Sequence, residues 1–200
     1  SESMKHAASL PSPPFPSASE TMKIRVTADS TCDLSPELRA SYGITLAPLT
    51  VMLGEDAFHD GVNVTPQDII HAVENGKTCK TAAVNVYEYE ELFRRVKEDC
   101  DAVIHLCIGK KFSACYDNAC QAAKQCGNVY VVDSGNLSVG LGMMALDAVE
   151  MARSLAAGGL SASEAAKEAA KETGFKKGEI YRQMLPHCRL CYLTRVYARP

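Results

Sequence analysis

Nearly continuous apolar, strand-like segments alternate with helix-like segments along this chain, and that alternation is the strongest constraint on its fold. MKIRVTAD, DAVIHLCIG and GNVYVVDS are predicted to be buried strands, whereas YEYEELFRRVKED has the apolar spacing of an amphipathic helix. Strands that are apolar on both faces and joined by helices are typical of parallel sheets covered on both sides. The sequence therefore predicts an α/β fold, a three-layer α/β/α arrangement around a mainly parallel sheet.

The remaining segments complete a predicted order of β-α-β-α-α-β-α-β-α-α. ITLAPLTVML is predicted as the second strand and EDAFHDG as a turn. Ser35 and Thr65 each precede a proline, the usual signature of a helix start. LSVGLGMMALDAVEMARSLAAG is predicted to be the longest helix, followed by a helix over SASEAAKEAAKET. Residues 1–21 are rich in proline and serine and are predicted to be a tail without fixed structure.

Charge and cysteine content narrow the function classes. A net charge of -3 gives no electrostatic reason to expect binding to nucleic acid or to an anionic membrane. Nine cysteines without an apolar signal segment favour a reducing cytoplasm, with most thiols acting as small core residues. Cys188 and Cys191 have the spacing of a metal or redox pair, but no second pair completes a site. We therefore expect alternation along a strand there, and no bound metal.

Two predicted strands end in the same dipeptide, Asp29-Ser30 and Asp133-Ser134. The carboxyl ends of parallel strands meet at one edge of a sheet, where ligands of such folds bind. The two aspartates are candidate acids or metal ligands. Equally, they are candidates to accept hydrogen bonds from backbone amides and hold the loops, and we favour this second interpretation.

Two hydroxyl groups are predicted to lie at the same edge. Ser113 follows a buried strand at the start of a helix, where a hydroxyl and free backbone N–H groups can bind an anion. Thr81 is predicted on the loop before another helix. The alternatives are that Ser113 only caps its helix and that Thr81 only bonds to its own turn.

A hydrolase or acyltransferase with Ser113 or Cys115 as nucleophile is the alternative enzymatic function. It would need a histidine base, but His105 alternates within a buried strand and His71 lies within a helix. The chain contains neither a GxSxG elbow nor a phosphate-binding GxxxxGK[ST] loop. We therefore assign no catalytic residue.

Small and flexible residues begin the longest predicted helix. Gly140, Gly142 and Met143 would either pack in the core or line an apolar tunnel, because glycine permits close approach and methionine adapts to variable apolar shapes.

Taken together, these segments resemble the DegV family of bacterial fatty-acid-binding proteins. The resemblance rests on the blocks at residues 29–34 (DSTCDL) and 132–142 (VDSGNLSVGLG). Two weaker blocks are Lys80-Thr81 and residues 112–119 (FSACYDNA), which keep only some of the family's residues. The resemblance to this family implies a fatty acid lying in a tunnel between two α/β domains, with its carboxylate held by hydroxyls that correspond to Thr81 and Ser113. A separate fatty acid kinase would phosphorylate that carboxylate, so the chain would be a carrier without a cofactor of its own.

The resemblance also implies a domain organisation. Residues 22–175 correspond to the first DegV domain, and residues 176–200 to the start of a second one that is cut short, so the chain is expected to be truncated. The pocket rim would comprise residues 29–31 (Asp29, Ser30, Thr31) with Asp133 and Ser134, and the tunnel would be lined by Gly140, Gly142 and Met143. The surface left by the missing domain would then favour self-association. A regulatory remnant that no longer binds lipid is the third interpretation.

Overall fold

The structure, a computed structural model, describes residues 23–173. Its strands are β1 (Ile24–Asp29), β2 (Thr45–Ala47), β3 (Thr50–Leu53), β4 (Asp56–His59), β5 (Cys79–Ala82), β6 (Ala102–Cys107) and β7 (Val129–Asp133). Its α-helices are α1 (Pro36–Tyr42), α2 (Pro66–Glu74), α3 (Val86–Lys97), α4 (Cys115–Cys126), α5 (Val139–Ala157) and α6 (Ala162–Thr173). A 3-10 turn, Ser30–Cys32, follows β1.

Four parallel strands in the order β2-β1-β6-β7 form the central sheet. Every residue of β6 is buried, as expected of a central strand covered on both faces. On one face, Ile24 and Ile104 pack with alanines and Leu141 of α5 and α6. On the other, Val103 and Cys107 pack with residues of α3 and α4 that include Tyr89. The predicted three-layer α/β/α arrangement is confirmed.

A second sheet, which the sequence did not predict, corrects the assignment of residues 44–59. ITLAPLTVML is two strands rather than one, because Pro48 has no N–H to continue the ladder. Thr45–Ala47 joins the parallel sheet, while Thr50–Leu53 is the middle strand of an antiparallel sheet in the order β4-β3-β5. EDAFHDG, predicted as a turn, contains β4. Val51, Leu53 and Val64 form a small separate core with residues of α2.

Both predicted helix starts are confirmed. The Ser35 hydroxyl accepts a 3.3 Å hydrogen bond from Leu38 N at the first turn of α1. Thr65 and Asp68 form a reciprocal capping box at the start of α2, in which each side chain accepts from the other's backbone N–H. The longest helix of the described residues is α5, as predicted.

Two predicted segments lie outside the described residues: the tail at 1–21 and the start of a second domain at 176–200, which includes Cys188 and Cys191. They stay predictions. Across residues 23–173, no helix combines the length and apolar character needed to cross a membrane.

Candidate functional site

The carboxyl edge of the parallel sheet carries most of the residues predicted for the site. Strands β1 and β7 are both neighbours of β6 and run parallel to it, so Asp29 and Asp133 end their strands at the same edge. Ser30, Ser113 and Ser134 lie in the segments that follow β1, β6 and β7, respectively. The structure therefore brings these predicted residues to one edge, as expected of a doubly covered parallel sheet.

Asp29 is completely buried, with 0% of its surface exposed. Its Oδ1 accepts a 2.6 Å hydrogen bond from the Tyr89 hydroxyl, and its Oδ2 accepts a 2.8 Å bond from Ile108 N. The expectation that Asp29 accepts from a backbone amide is confirmed. The buried carboxylate joins β1, α3 and the end of β6, and its predicted place at a pocket rim stays a prediction.

Asp133 connects the loops that follow β6 and β7. Its Oδ1 accepts hydrogen bonds from Lys110 N at 3.0 Å and from Gly135 N at 2.9 Å. Lys110 Nζ lies 3.8 Å from Oδ2 and partly compensates its charge. The two loops approach so closely that a Cβ on Gly109 would lie 2.9 Å from the Gly135 carbonyl carbon. Asp133 is thus an acceptor of backbone N–H groups, as the sequence analysis expects.

The hydroxyls beside these aspartates are mostly engaged in local bonds. Ser30 Oγ accepts from Leu49 N at 3.1 Å and donates to Asp60 Oδ2 at 2.6 Å, which joins the end of β1 to the antiparallel sheet. Ser134 Oγ accepts from Asn136 N at 3.1 Å. Thr31 Oγ1 is buried and has no hydrogen-bond partner among the described residues. Ser30 and Ser134 therefore shape the loops rather than point freely into solvent.

Ser113 lies half-buried two residues before the first residue of α4. Its Oγ accepts a 3.2 Å hydrogen bond from Cys115 N and donates to Cys115 Sγ at 3.1 Å. Ala114, not Ser113, occupies the N-cap position, so the alternative in which Ser113 is the N-cap residue is corrected. The hydroxyl nonetheless binds one of the free N–H groups of the first turn.

Thr81 lies on strand β5 and not on a loop, which corrects its predicted position. β5 is an edge strand whose four residues are all exposed, and Thr81 pairs with Val51 of β3. Past β5, the Val84 carbonyl accepts a 2.8 Å hydrogen bond from Asn118 Nδ2 of α4. This bond holds the segment that carries Thr81 against the helix that follows Ser113.

Three exposed apolar side chains lie at the same edge, two in loops and one at the start of α5. Phe112 precedes Ser113 and is 62% exposed, and Leu137 and Val139, beyond β7, are 50% and 63% exposed. None of the three was predicted as a site residue from the sequence. Large apolar side chains left exposed together mark surfaces that bind ligands or partners.

The glycines at the start of α5 have different surroundings. Gly142 is buried, and a Cβ there would lie 2.4 Å from the Cys32 carbonyl oxygen. This close approach of α5 to the 3-10 turn favours the packing alternative for Gly142, and its predicted place in a tunnel lining stays a prediction. Gly140 and Met143 are half-buried.

The geometry counts against Cys115 as a nucleophile. Its side chain is buried, and burial, followed by the charge of Asp29, raises the pKa of the Cys115 thiol. A raised pKa lowers the fraction of reactive thiolate. The nearby His105 is completely buried, with Nδ1 2.8 Å from Thr27 Oγ1 and Nε2 3.3 Å from Asp29 Oδ1.

A cavity of about 210 Å³ lies elsewhere, against α3. It is smaller than typical ligand pockets, which measure about 300–1,000 Å³. It includes none of the residues predicted for the site. Its lining residues are Ala47, Pro48, His59, Val84, Tyr87, Glu88, Glu91, Leu92 and Arg95.

The sequence matches the family model described as "Uncharacterised protein, DegV family" over residues 23–173. The chain belongs to the DegV family. A DegV domain-containing protein of Clostridium perfringens is 33% identical over 135 residues, which cover 66% of this chain and 48% of that protein. One from Streptomyces coelicolor is 30% identical over 168 residues, covering 83% and 58% respectively. The chain thus spans about half the length of the curated relatives it matches.

Solved DegV structures share this fold. A DegV family protein from Thermus thermophilus, described by its fatty acid binding, superimposes with a TM-score of 0.64 at 32% identity, over 76% of this chain and 54% of that one. A stearic-acid-binding protein from Eubacterium ventriosum gives a TM-score of 0.62 at 28% identity, over 73% and 52%.

Proposed function

We propose that this DegV chain binds a long-chain fatty acid at the carboxyl edge of its parallel sheet, with the carboxylate held by the hydroxyls of Ser113 and Thr81. The observation that carries the proposal is the position of Ser113. Its hydroxyl lies at the start of α4, directly after the exposed side chain of Phe112, and Leu137 and Val139 are exposed at the same edge. An anion-binding end beside exposed apolar side chains matches the two ends of a fatty acid.

The physical chemistry of the site supports a carboxylate. A helix N-terminus favours negative charge because its first N–H groups lack intrahelical partners. Hydrogen bonds to a charged acceptor contribute about 1.5–3 kcal/mol each. Each buried methylene adds about 0.8 kcal/mol. Neutral hydroxyls hold the carboxylate without neutralising it, which leaves it available for reaction.

The other rim residues have supporting roles in this proposal. Asp133 and Asp29 hold the loops and strand ends, and Ser30, Thr31 and Ser134 shape the turns between them. The half-buried Gly140 and Met143 lie at the start of α5, where the acyl chain would pass. The fatty-acid-binding descriptions of the Thermus thermophilus and Eubacterium ventriosum proteins favour the same ligand class.

The experiment is lipid binding by the purified, delipidated chain. Native mass spectrometry and calorimetry with a long-chain fatty acid are expected to show a single bound molecule. Ser113→Ala and Thr81→Ala should each weaken binding about 10-fold or more, the equivalent of one charge-assisted hydrogen bond.

Ser41→Ala is the matched control, since Ser41 is exposed on α1 and its hydroxyl only donates to the Glu37 carbonyl. Saturable binding that is unchanged in both Ser113→Ala and Thr81→Ala would contradict the assignment of the carboxylate. Absence of binding, also in a chain extended to the full length of its relatives, would contradict the fatty acid itself.

We further propose that the bound fatty acid is presented to a separate fatty acid kinase, in the cytoplasm. The half-buried position of Ser113 supports this, because a carboxylate held there would lie at the surface and not inside the core. Incubation with a fatty acid kinase and ATP should convert the bound acid to an acyl phosphate, and Ser113→Ala should slow the conversion. Equal rates with and without the protein would contradict a carrier role.

Self-association through exposed apolar side chains at this edge is part of the same proposal. Phe112, Leu137 and Val139 are large apolar side chains exposed at this edge, and a second copy would cover them. Light scattering at rising concentration should show dimers or larger species that are lost when all three are replaced by serine. A monomer at every concentration would contradict this.

A further inference from the structure

Three side chains of different chemistry meet in the core beneath the carboxyl edge. They are Asp29 from the end of β1, and His105 and Cys107 from the end of β6, and each is 0% exposed. One oxygen of Asp29, one ring nitrogen of His105 and the sulfur of Cys107 all lie within 4.8 Å of one another. None of the three has a direct role in holding a fatty acid carboxylate.

The imidazole of His105 has one satisfied and one unsatisfied nitrogen. Nδ1 lies 2.8 Å from Thr27 Oγ1. Nε2 lies 3.3 Å from Asp29 Oδ1 without the alignment of a hydrogen bond, and it has no partner among the described residues. Buried polar atoms are nearly always paired, so an unpaired nitrogen that faces a buried carboxylate requires an explanation.

The tautomer of His105 decides whether this contact is attractive or repulsive. In one tautomer Nδ1 accepts from the Thr27 hydroxyl and Nε2 carries the proton that faces Asp29. In the other, Nδ1 donates to Thr27 Oγ1, so Nε2 presents a lone pair to Asp29 Oδ1 at 3.3 Å, and a metal ion bound by both atoms would remove their repulsion.

We propose that Asp29, His105 and Cys107 together bind one Zn²⁺ ion. Carboxylate oxygen, imidazole nitrogen and thiolate sulfur are the three donor types that proteins use for zinc. One carboxylate and one thiolate carry two negative charges, so the ion and its ligands would be neutral together, as a buried site requires. Mg²⁺ and Ca²⁺ fit less well, because they select oxygen ligands.

The surrounding side chains already orient the ligands as zinc sites require. A zinc-binding histidine usually has its second ring nitrogen held by an oxygen acceptor, and Thr27 Oγ1 occupies that position. The Asp29 carboxylate is oriented by Tyr89 and by Ile108 N. Zinc–ligand bonds are about 2.0–2.3 Å long, so ligand atoms around one ion lie roughly 3.3–3.8 Å apart. The present separations, all within 4.8 Å, would have to shorten to that range when the ion binds.

The test uses the full 200-residue chain without a histidine tag. Cys188 and Cys191, which have metal-ligand spacing, and the exposed Cys79 are first replaced by serine to remove competing thiols. This parent protein is expressed with zinc in the medium and its metal content is measured by elemental analysis. We expect one zinc ion per chain, with Cys107→Ser and His105→Gln each reducing it to near zero.

Cobalt supplies an independent measurement of the sulfur ligand. Co²⁺ exchanged into the parent should produce a thiolate-to-cobalt charge-transfer band that Cys107→Ser abolishes. Cys100→Ser and His71→Gln are the matched controls, since Cys100 is half-buried and His71 is exposed on α2. Both controls should retain the full zinc content and the band.

Two results would overturn the proposal. The first is a parent protein without zinc. The second is zinc that persists in both Cys107→Ser and His105→Gln. If circular dichroism shows that these variants do not fold, the test relies on the parent protein. A chelator should lower its melting temperature and added Zn²⁺ should restore it. Exchange of Zn²⁺ for Co²⁺ should produce the charge-transfer band. Absence of either effect also overturns the site.

Discussion

The hydroxyl of Tyr89, on helix α3, donates a 2.6 Å hydrogen bond to Asp29 Oδ1 at the end of strand β1. Both residues are completely buried. A buried carboxylate must be hydrogen-bonded to remain charged at low cost, and Tyr89 and Ile108 N supply the two donors. Burial, followed by the charge of Asp29, raises the pKa of Tyr89, so the phenol stays protonated and keeps donating. The bond therefore connects a helical layer to the strand end that supports the candidate site.

We expect Tyr89→Phe to lower the free energy of unfolding by about 1.5–3 kcal/mol, because it removes a hydrogen bond to a charged acceptor. Urea denaturation at neutral pH measures the change. Tyr87→Phe is the control: Tyr87 lies on the same helix but is 67% exposed, and its loss of a hydroxyl should change stability by less than about 0.5 kcal/mol. Equal effects of the two substitutions would show that the bond contributes no net stability.

Affinity for fatty acids is expected to rise with chain length. Each additional methylene covered by Phe112, Leu137 and Val139 should contribute about 0.8 kcal/mol, or roughly a fourfold gain in affinity, until these side chains are covered. Calorimetry with a series of saturated acids measures the slope, and an alcohol of matched length isolates the carboxylate. A flat series would indicate that Phe112, Leu137 and Val139 do not contact the acyl chain.

Gly142→Ala is expected to destabilise the protein even though alanine favours helices. The added Cβ would lie 2.4 Å from the Cys32 carbonyl oxygen, so α5 or the 3-10 turn would have to move. Such overpacking costs about 1–3 kcal/mol. Thermal unfolding followed by circular dichroism measures the loss.

Gly140→Ala is the matched control in the same helix. Its Cβ would lie 3.2 Å from the side chain of Asn136, which can move more readily than backbone, so a smaller effect is expected. A Gly142→Ala variant as stable as Gly140→Ala would contradict the close packing described for α5.

Thiol labelling tests the electrostatics around Asp29. The pKa of Cys107 is raised well above its ordinary value by burial and then by the charge of Asp29, and the pKa of Cys115 is raised for the same reasons. A raised pKa means that thiolate forms only at more alkaline pH. We therefore expect iodoacetamide at neutral pH to label the exposed Cys79 and to leave Cys107 and Cys115 unmodified.

Peptide mass spectrometry gives the labelled fraction of each cysteine. In denaturant, all three should react, which controls for the reagent. Labelling of Cys115 in the folded protein as fast as Cys79 would contradict its burial and restore the nucleophile hypothesis.

The parallel sheet and its helices could be predicted from the sequence because each element carries its own signal. Apolar runs marked β1, β6 and β7, and a serine or threonine before proline marked the starts of α1 and α2. The antiparallel sheet could not be predicted in this way. β5 is fully exposed and has no apolar pattern, and β4 is short and polar, so both are strands only because β3 offers hydrogen-bond partners on each side.

The sequence by itself determined the α/β class, the strand ends at Asp29 and Asp133, and the position of Ser113 near the start of a helix. Those features depend on local periodicity and on residues that follow one another in the chain. Only the tertiary structure decided that Asp29 is buried under Tyr89, and that His105 and Cys107 lie beside it. Residues 29 and 105 are 76 positions apart, and only the pairing of β1 with β6 places their side chains together.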